Sequence, residues 1–387
     1  MVSGSPRAAL ATVAVGMLAL VLWLAVGDAS VSHARTMTVG SGAVKAAEAT
    51  APALASSRTH GLVPKMIWGP VAFPNGSSAF PTYHRLGVNV FQIDLTWAET
   101  APSRPADPDN PSDPAYQWPA ELNQAIAQAA HYHIKICLLV QGTPGWANGG
   151  RASDWAPTRP SDYANFLTAA ARRYPSVHLW MIWGEPNRAG NFNPMPPNSK
   201  VGPRRYALVL NAGYHALKNV SKSDIVIGGD TWSFGPVEPA DFVKWMRLPN
   251  GKPPPLDYYG HNPFSRRFPH LSENPYFPGG RDINDIDTLD AQLDQVYHRS
   301  VKLWLSEFTV SSTHGNRAFD FSVSRPEQAK WLTAAFALAN SVNYVAGMGW
   351  FDLVDQPPLP GNQALTTGLL TYRLQSKPAF DAYERAP

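Results

Sequence analysis

The chain has a single cysteine, few charges for its size and no dense run of Lys or Arg. Cys137 stands alone among 387 residues, so no intrachain disulfide holds the fold. Its setting, Ile134-Lys135-Ile136-Cys137-Leu138-Leu139-Val140, reads as a buried strand rather than as a reactive thiol. Charged residues make up 16% and the formal net charge is +3, which argues against nucleic acid as a partner. There is no Walker loop, no His pair at i, i+4 spacing with a Glu, and no Gly-x-Ser-x-Gly elbow. Phosphate cradling, zinc-assisted hydrolysis and serine-esterase chemistry therefore lack their usual carriers. The acidic run Asp282-Ile283-Asn284-Asp285-Ile286-Asp287 lacks the glycine turn of a calcium loop and reads as helix N-terminal charge. Neither a metal nor another cofactor is expected.

Apolar and aromatic residues are plentiful. Hydrophobic residues reach 44%, enough for a large packed core, with 13 Trp, 14 Tyr and 16 Phe. Several aromatics stand beside Gly, Pro and Asn at the ends of apolar runs, where core packing explains them less well. Sugar rings have apolar C–H faces and polar edges, and a cleft of Trp and Tyr with a few polar groups suits them.

The N-terminus reads as an address. An apolar run from Ala8 to Val26 follows Arg7 and has the length of a long signal peptide or a membrane anchor. Small residues before Ala29 and Ala34 offer cleavage sites. Residues 1–34 are thus expected to be a signal peptide or an N-terminal transmembrane helix, which makes the rest secreted or tethered to the outer face of the membrane. Residues 35–61, rich in Ala, Ser, Thr and Gly, read as a flexible linker, and residues 62–387 as the folded unit.

From Leu62 onward short apolar runs alternate with longer helical patterns. Strands are expected at Lys65–Gly69, Val88–Asp94, Ile134–Val140, His178–Gly184, Ile225–Asp230, Leu256–His261, Val301–Glu307 and Tyr344–Phe351. Helices are expected at Pro119–Tyr132, Ser161–Tyr174, Arg204–Val220, Ile286–Arg299 and Pro326–Ser341. Eight strand–helix units imply an α/β fold, a (β/α)8 TIM barrel. The long segments Ala101–Pro119, Asn191–Pro203 and Pro263–Asp282 follow strands two, four and six, and belong on the C-terminal face. A doubly wound open sheet would want a Gly-rich turn after strand one, which Gly69-Pro70-Val71 does not supply.

Two strands deliver a glutamate. Leu179-Trp180-Met181-Ile182-Trp183-Gly184-Glu185-Pro186-Asn187 runs into Glu185 and a Pro that starts a loop. Val301-Lys302-Leu303-Trp304-Leu305-Ser306-Glu307-Phe308 does the same with Glu307. A lone carboxylate there serves as ion-pair partner, loop cap or catalytic group. On strands four and seven of one barrel the two together point to catalysis.

On these motifs, with Gly142-Thr143-Pro144-Gly145-Trp146-Ala147 after strand three and His261-Asn262-Pro263 after strand six, the sequence resembles clan A glycoside hydrolases. The most similar groups are cellulase-like family 5 and xylosidase-like family 39. The resemblance runs as motifs from Leu62 to the C-terminus. It implies a retaining glycosidase acting on an oligo- or polysaccharide, with Glu185 as acid/base and Glu307 as nucleophile. It also implies that Trp350, in Gly349-Trp350, is the aromatic floor under the reacting sugar. Two positions depart from the clan: Gly184 replaces an Asn that binds the sugar 2-hydroxyl, and Gln92 stands on strand two where an Arg is usual. Asn187, Gln92 and Asp94 are the candidate replacements. His261 or Tyr259 is expected to hydrogen-bond the nucleophile, or His261 is simply satisfied by backbone. Substrate contacts are expected from Gln92, Asp94, Trp97, Trp146, Trp183, Asn187, Trp232, Tyr259, His261 and Trp350. Trp155, Phe192 and Phe264 extend an oligosaccharide groove, and Arg266 and Arg267 either meet an anionic glycan or form a solvated loop edge. The competing expectation is a catalytically silent carbohydrate-binding or envelope-organising protein on the same barrel.

Overall fold

Eight parallel strands close into a barrel in chain order: β1 Lys65–Trp68, β2 Val90–Thr96, β3 Lys135–Gln141, β4 Leu179–Ile182, β5 Ile225–Trp232, β6 Tyr258–Asn262, β7 Lys302–Phe308 and β8 Val345–Trp350. The closing pair sets Lys65 against Met348 and Ile67 against Trp350. This computed structural model describes residues 61–271, 274–313, 320–358 and 364–387. Apart from Gly61, the expected export segment and linker lie outside the described residues. Among the described residues no helix is long and apolar enough to cross a membrane.

Helices cover the outside. They are α1 Phe80–Arg85, α2 Trp97–Thr100, α3 Ala120–His131, α4 Gly145–Asn148, α5 Pro160–Arg173, α6 Val201–Val220, α7 Pro239–Trp245, α8 Ile286–Tyr297, α9 Arg325–Ser341 and α10 Pro378–Arg385. The sequence reading finds α3, α5, α6, α8 and α9 and misses the short ones, whose apolar period is too brief to stand out. The start of α9 shows why it begins there: Ser324 Oγ accepts from the Glu327 amide at 3.3 Å, and Pro326 occupies the first turn, where its missing N–H costs nothing.

The strands are apolar on both faces because both are buried. Met66, Trp68, Val90, Cys137, Leu139, Met181, Ile227 and Trp304 pack inside the barrel. Ile67, Phe91, Leu138, Trp180, Leu303 and Tyr259 pack outward, in the layer shared with the helices. Each fully buried large side chain contributes about 1.5–3 kcal/mol against leaving it exposed. At the N-terminal rim, Lys65 Nζ donates to the carbonyls of Tyr383 at 2.7 Å and Ala386 at 3.0 Å, and the Tyr383 hydroxyl donates to Met66 O at 3.0 Å. The last helix is thereby fastened to the first strand.

Candidate active site

Parallel strands bring their C-terminal ends to one rim, and the two glutamates meet there. Strand β4 stops at Ile182, short of Glu185, and Trp183 and Glu185 then take φ values of 67° and 45°. Non-glycine residues in this left-handed region cost about 1–2 kcal/mol each, strain typical of a site held by its surroundings. Glu185 Oε1 accepts from Asn262 Nδ2 at 3.2 Å. Its Oε2 accepts from Arg188 Nη1 at 2.5 Å and Asn191 Nδ2 at 3.4 Å. The amide nitrogen of Glu307 donates to Asn262 Oδ1 at 3.1 Å. One asparagine side chain therefore joins the two glutamates.

Two more carboxyls share the mouth. Asp230 on β5 has φ 42°, next to Gly229 at 91°, where the β5–β6 register shifts between Gly228 and Thr231. A Cβ on Gly260 would lie 2.8 Å from Asp230 Cα, so only glycine lets β6 pass the bulge. Asp230 Oδ1 is buried with no hydrogen-bond partner. Asp94 on β2 accepts Gln141 Nε2 at 3.0 Å. Burial, then the charge of Glu185, pushes Asp230 well above the usual carboxylate range, and burial pushes Asp94 to about 7. Glu307 is also held well above that range, first by burial and then by Glu185, Asp230 and Asp94, with Arg188 opposing. Among the described residues no group of His, Cys, Asp and Glu is arranged to hold a metal ion.

The expected substrate contacts divide sharply. Pleat parity on β6 turns Tyr258 and Asn262 inward and Tyr259 and His261 outward. The expectation that His261 or Tyr259 bonds the nucleophile is not met. His261 bonds the Thr231 hydroxyl through Nδ1 at 3.0 Å and donates from Nε2 to the Arg281 carbonyl at 3.1 Å. Its imidazole is lowered by burial to about 4 and stays neutral. Tyr259 meets the Thr231 hydroxyl at 3.2 Å. Trp350 likewise faces outward, donating to Thr367 O at 3.0 Å, so it forms no floor. Gly349, which does face inward, has Ser306 O where its Cβ would be. The tryptophans inside the barrel are Trp68 and Trp304, which the sequence reading does not select.

Gln92 is buried, donating to Ser306 O at 2.8 Å and accepting from Trp304 Nε1 at 3.1 Å. Asn187 is consumed by the backbone of Trp232 and Phe234. Trp97 is buried against Phe166, and Trp183 donates to Asn191 O at 2.7 Å beneath the loop. Phe192 and Phe264 are also buried. Trp146, Trp155 and Trp232 reach solvent. Arg266 pairs with Asp320, and Arg267 with Asp282 at 2.7 Å, so both arginines, expected either to meet an anionic glycan or to form a loop edge, are engaged by this chain's own acids. A Cβ on Gly184 would lie 3.0 Å from Leu139 and 3.4 Å from Gln141 Oε1. Gln141 thus stands beside Gly184 while it donates to Asp94.

Asn262, Arg188, Asp230, Asn191 and Gln141 belong to the site without having been selected from sequence. Asn262 had a signal, since it follows His261 by one residue and alternation on β6 puts only one of the two inside.

No protein-family profile matches the chain, and no curated protein does. Solved structures do match in fold. A family 39 glycoside hydrolase from Bacteroides cellulosilyticus superposes with a TM-score of 0.61 at 18% identity, over 83% of this chain and 63% of that one. A glucosidase from Croceicoccus marinus gives 0.60 at 15%, over 84% and 66%. A monomeric β-xylosidase from Caulobacter crescentus gives 0.59 at 16%, over 84% and 67%. The present chain is similar to these in its barrel and spans about two thirds of their length.

Proposed function

We propose that the protein is a retaining glycoside hydrolase cleaving O-glycosidic bonds of an oligo- or polysaccharide, with Glu185 as acid/base and Glu307 as nucleophile. The observation that carries this reading is Asn262, whose amide holds Glu185 Oε1 on one side and the Glu307 backbone on the other. Glycoside cleavage needs one carboxyl protonated toward the leaving oxygen and one ionised toward the anomeric carbon. The upward push on Glu307 keeps a proton in the free site, and Asp94 and Asp230 reinforce it. Once that proton has moved to Glu185, Glu307 is free to attack and form the glycosyl-enzyme, and Glu185 then activates the water that releases it. The similarity in fold to family 39 enzymes supports the reaction class.

Screening a glycan panel with the unsubstituted chain beside Glu185→Gln and Glu307→Gln tests the reading. Hydrolysis that both substitutions abolish, with the anomeric configuration retained in product NMR, is the expected result. Retention corresponds to a carboxyl spacing of about 5–5.5 Å, and inverted product would make Glu307 a base. The second reading, a binding protein that does not cleave, is favoured by Arg188 on Glu185 Oε2 and predicts glycan binding without hydrolysis. Export through residues 1–34 is part of the proposal. Its test is that a chain lacking them stays in the cytoplasm, folded and soluble.

A further inference from the structure

Each of the three solvent-reaching tryptophans at the mouth carries an arginine over its ring. Arg104 lies 4.3 Å from the Trp146 ring centre, Arg151 4.1 Å from Trp155, and Arg188 4.5 Å from Trp232. Arg104 follows β2, Trp146, Arg151 and Trp155 follow β3, Arg188 follows β4, and Trp232 ends β5. All stand at the barrel end that carries Glu185. A guanidinium stacked on indole keeps its in-plane N–H groups for an oxyanion.

Arg188 does two things at once. It covers the face of Trp232 on which a sugar would stack, and its Nη1 holds Glu185 Oε2 at 2.5 Å. A proton placed on Oε2 for a leaving group would sit beside the Arg188 cation, which disfavours it. Substrate that draws Arg188 away removes that opposition. The side chain is only 25% exposed, so lifting it away with nothing in exchange strands a cation in a poorly solvated place. A neutral sugar offers it hydroxyls. A sugar carboxylate offers a carboxylate in return, with both oxygens available where Glu185 gives up only Oε2, and the exchange is then close to balanced.

Resting on the glycosidase reading of this site, we propose that the substrate is an acidic glycan bearing uronic-acid carboxylates, and that Arg188 is its specificity-determining residue, drawn off Glu185 by the sugar carboxylate. Release uncovers Trp232 and opens Oε2 of Glu185. The proton that the free site keeps on Glu307 passes to Glu185, one carboxyl gaining what the other loses, so no outside donor is required. Arg151, over Trp155, extends the same preference to a neighbouring sugar, whereas Arg104 is held by Asp162 and the Trp146 carbonyl.

The test uses the full chain with Glu307→Gln, which binds without turnover. Calorimetry compares oligosaccharides containing glucuronate, galacturonate or mannuronate with the same oligosaccharides after reduction of their carboxyls to alcohols. At least one acidic member is expected to bind ~10-fold or more tightly than its reduced partner. Adding Arg188→Met should erase that difference, while the reduced glycan binds as well as before or better because Trp232 is uncovered. Arg188→Lys, which keeps the charge but not the planar fork, should fall between, and serves if the Met variant fails to fold. Equal binding within every acidic–reduced pair overturns the proposal. So does absence of binding by every acidic member, or a preference that survives loss of Arg188. Hydrolysis by the unsubstituted chain is scored separately. Acidic preference without cleavage removes the catalytic role and leaves the specificity, and cleavage of neutral glycans without acidic preference does the reverse.

Discussion

The amide nitrogen of Glu185 donates to the carbonyl oxygen of Asp230 at 2.9 Å, and both residues sit in the left-handed region. The loop after β4 is thus hung on the bulge of β5, with the Asp230 carboxyl close enough for its charge to add to burial and Glu185 in raising Glu307. Asp230→Asn keeps a residue type that tolerates positive φ and removes the charge. Glu307 should then give up its proton more readily, moving the basic limb of kcat/KM down by about 0.5–1 pH unit. A pH–rate profile with that limb unmoved would show that the Asp230 charge does not reach Glu307.

Asn262→Ala removes both contacts that join the glutamates. We expect kcat to fall about 10²–10³-fold with the barrel still folded, by circular dichroism and a Tm within several degrees of the parent. His261→Gln, one residue away but on the outer face, should lower stability by about 1–3 kcal/mol and leave the shape of the pH–rate profile unchanged. If His261→Gln instead moves a limb of that profile, the imidazole reaches the site after all.

Asp94 gives a stability signature. Its pKa rises from 3.8 to about 7 on folding, so between those values the native state holds more proton than the unfolded chain. Stability therefore falls as pH rises across this window and levels off above it. Asp94→Asn keeps the acceptor for Gln141 and cancels the effect. Discounting for partial contact with solvent, it should gain about 1–2 kcal/mol at pH 8 and nothing at pH 4 in urea titrations. Equal gains at both pH values would assign the effect to packing.

The inward glycines set a further expectation. A Cβ on Gly349 would stand 1.9 Å from Ser306 O, a backbone atom with no room to give, so Gly349→Ala should cost more than about 3 kcal/mol and yield little soluble protein. Gly184→Ala meets only side chains, at 3.0 Å from Leu139, and should cost about 1–2 kcal/mol. Thermal melts of the two variants rank them directly.

Strand count, strand order and the two glutamates were legible because buried parallel strands announce themselves as apolar runs and a carboxylate ending one is conspicuous. Which neighbour faces in was not. His261 and Asn262 look alike as polar residues at a strand end, and so do Gly349 and Trp350 as a motif. A one-residue step decides between barrel interior and helix layer, and the bulges that set the step in β5 and β7 leave no mark in a single sequence. Arg188 was hidden for another reason. Its role depends on a turn that folds Glu185 and Trp232 toward it, and only the three-dimensional path of the loop shows that.

Lys65 fixes a direction as well as a contact. With β1 beginning beside α10 at the N-terminal rim, residues 61–64 enter the barrel from the end opposite the four carboxyls. Both terminal segments of the described fold therefore stand at the base, and a long polymer can lie across the mouth without meeting either.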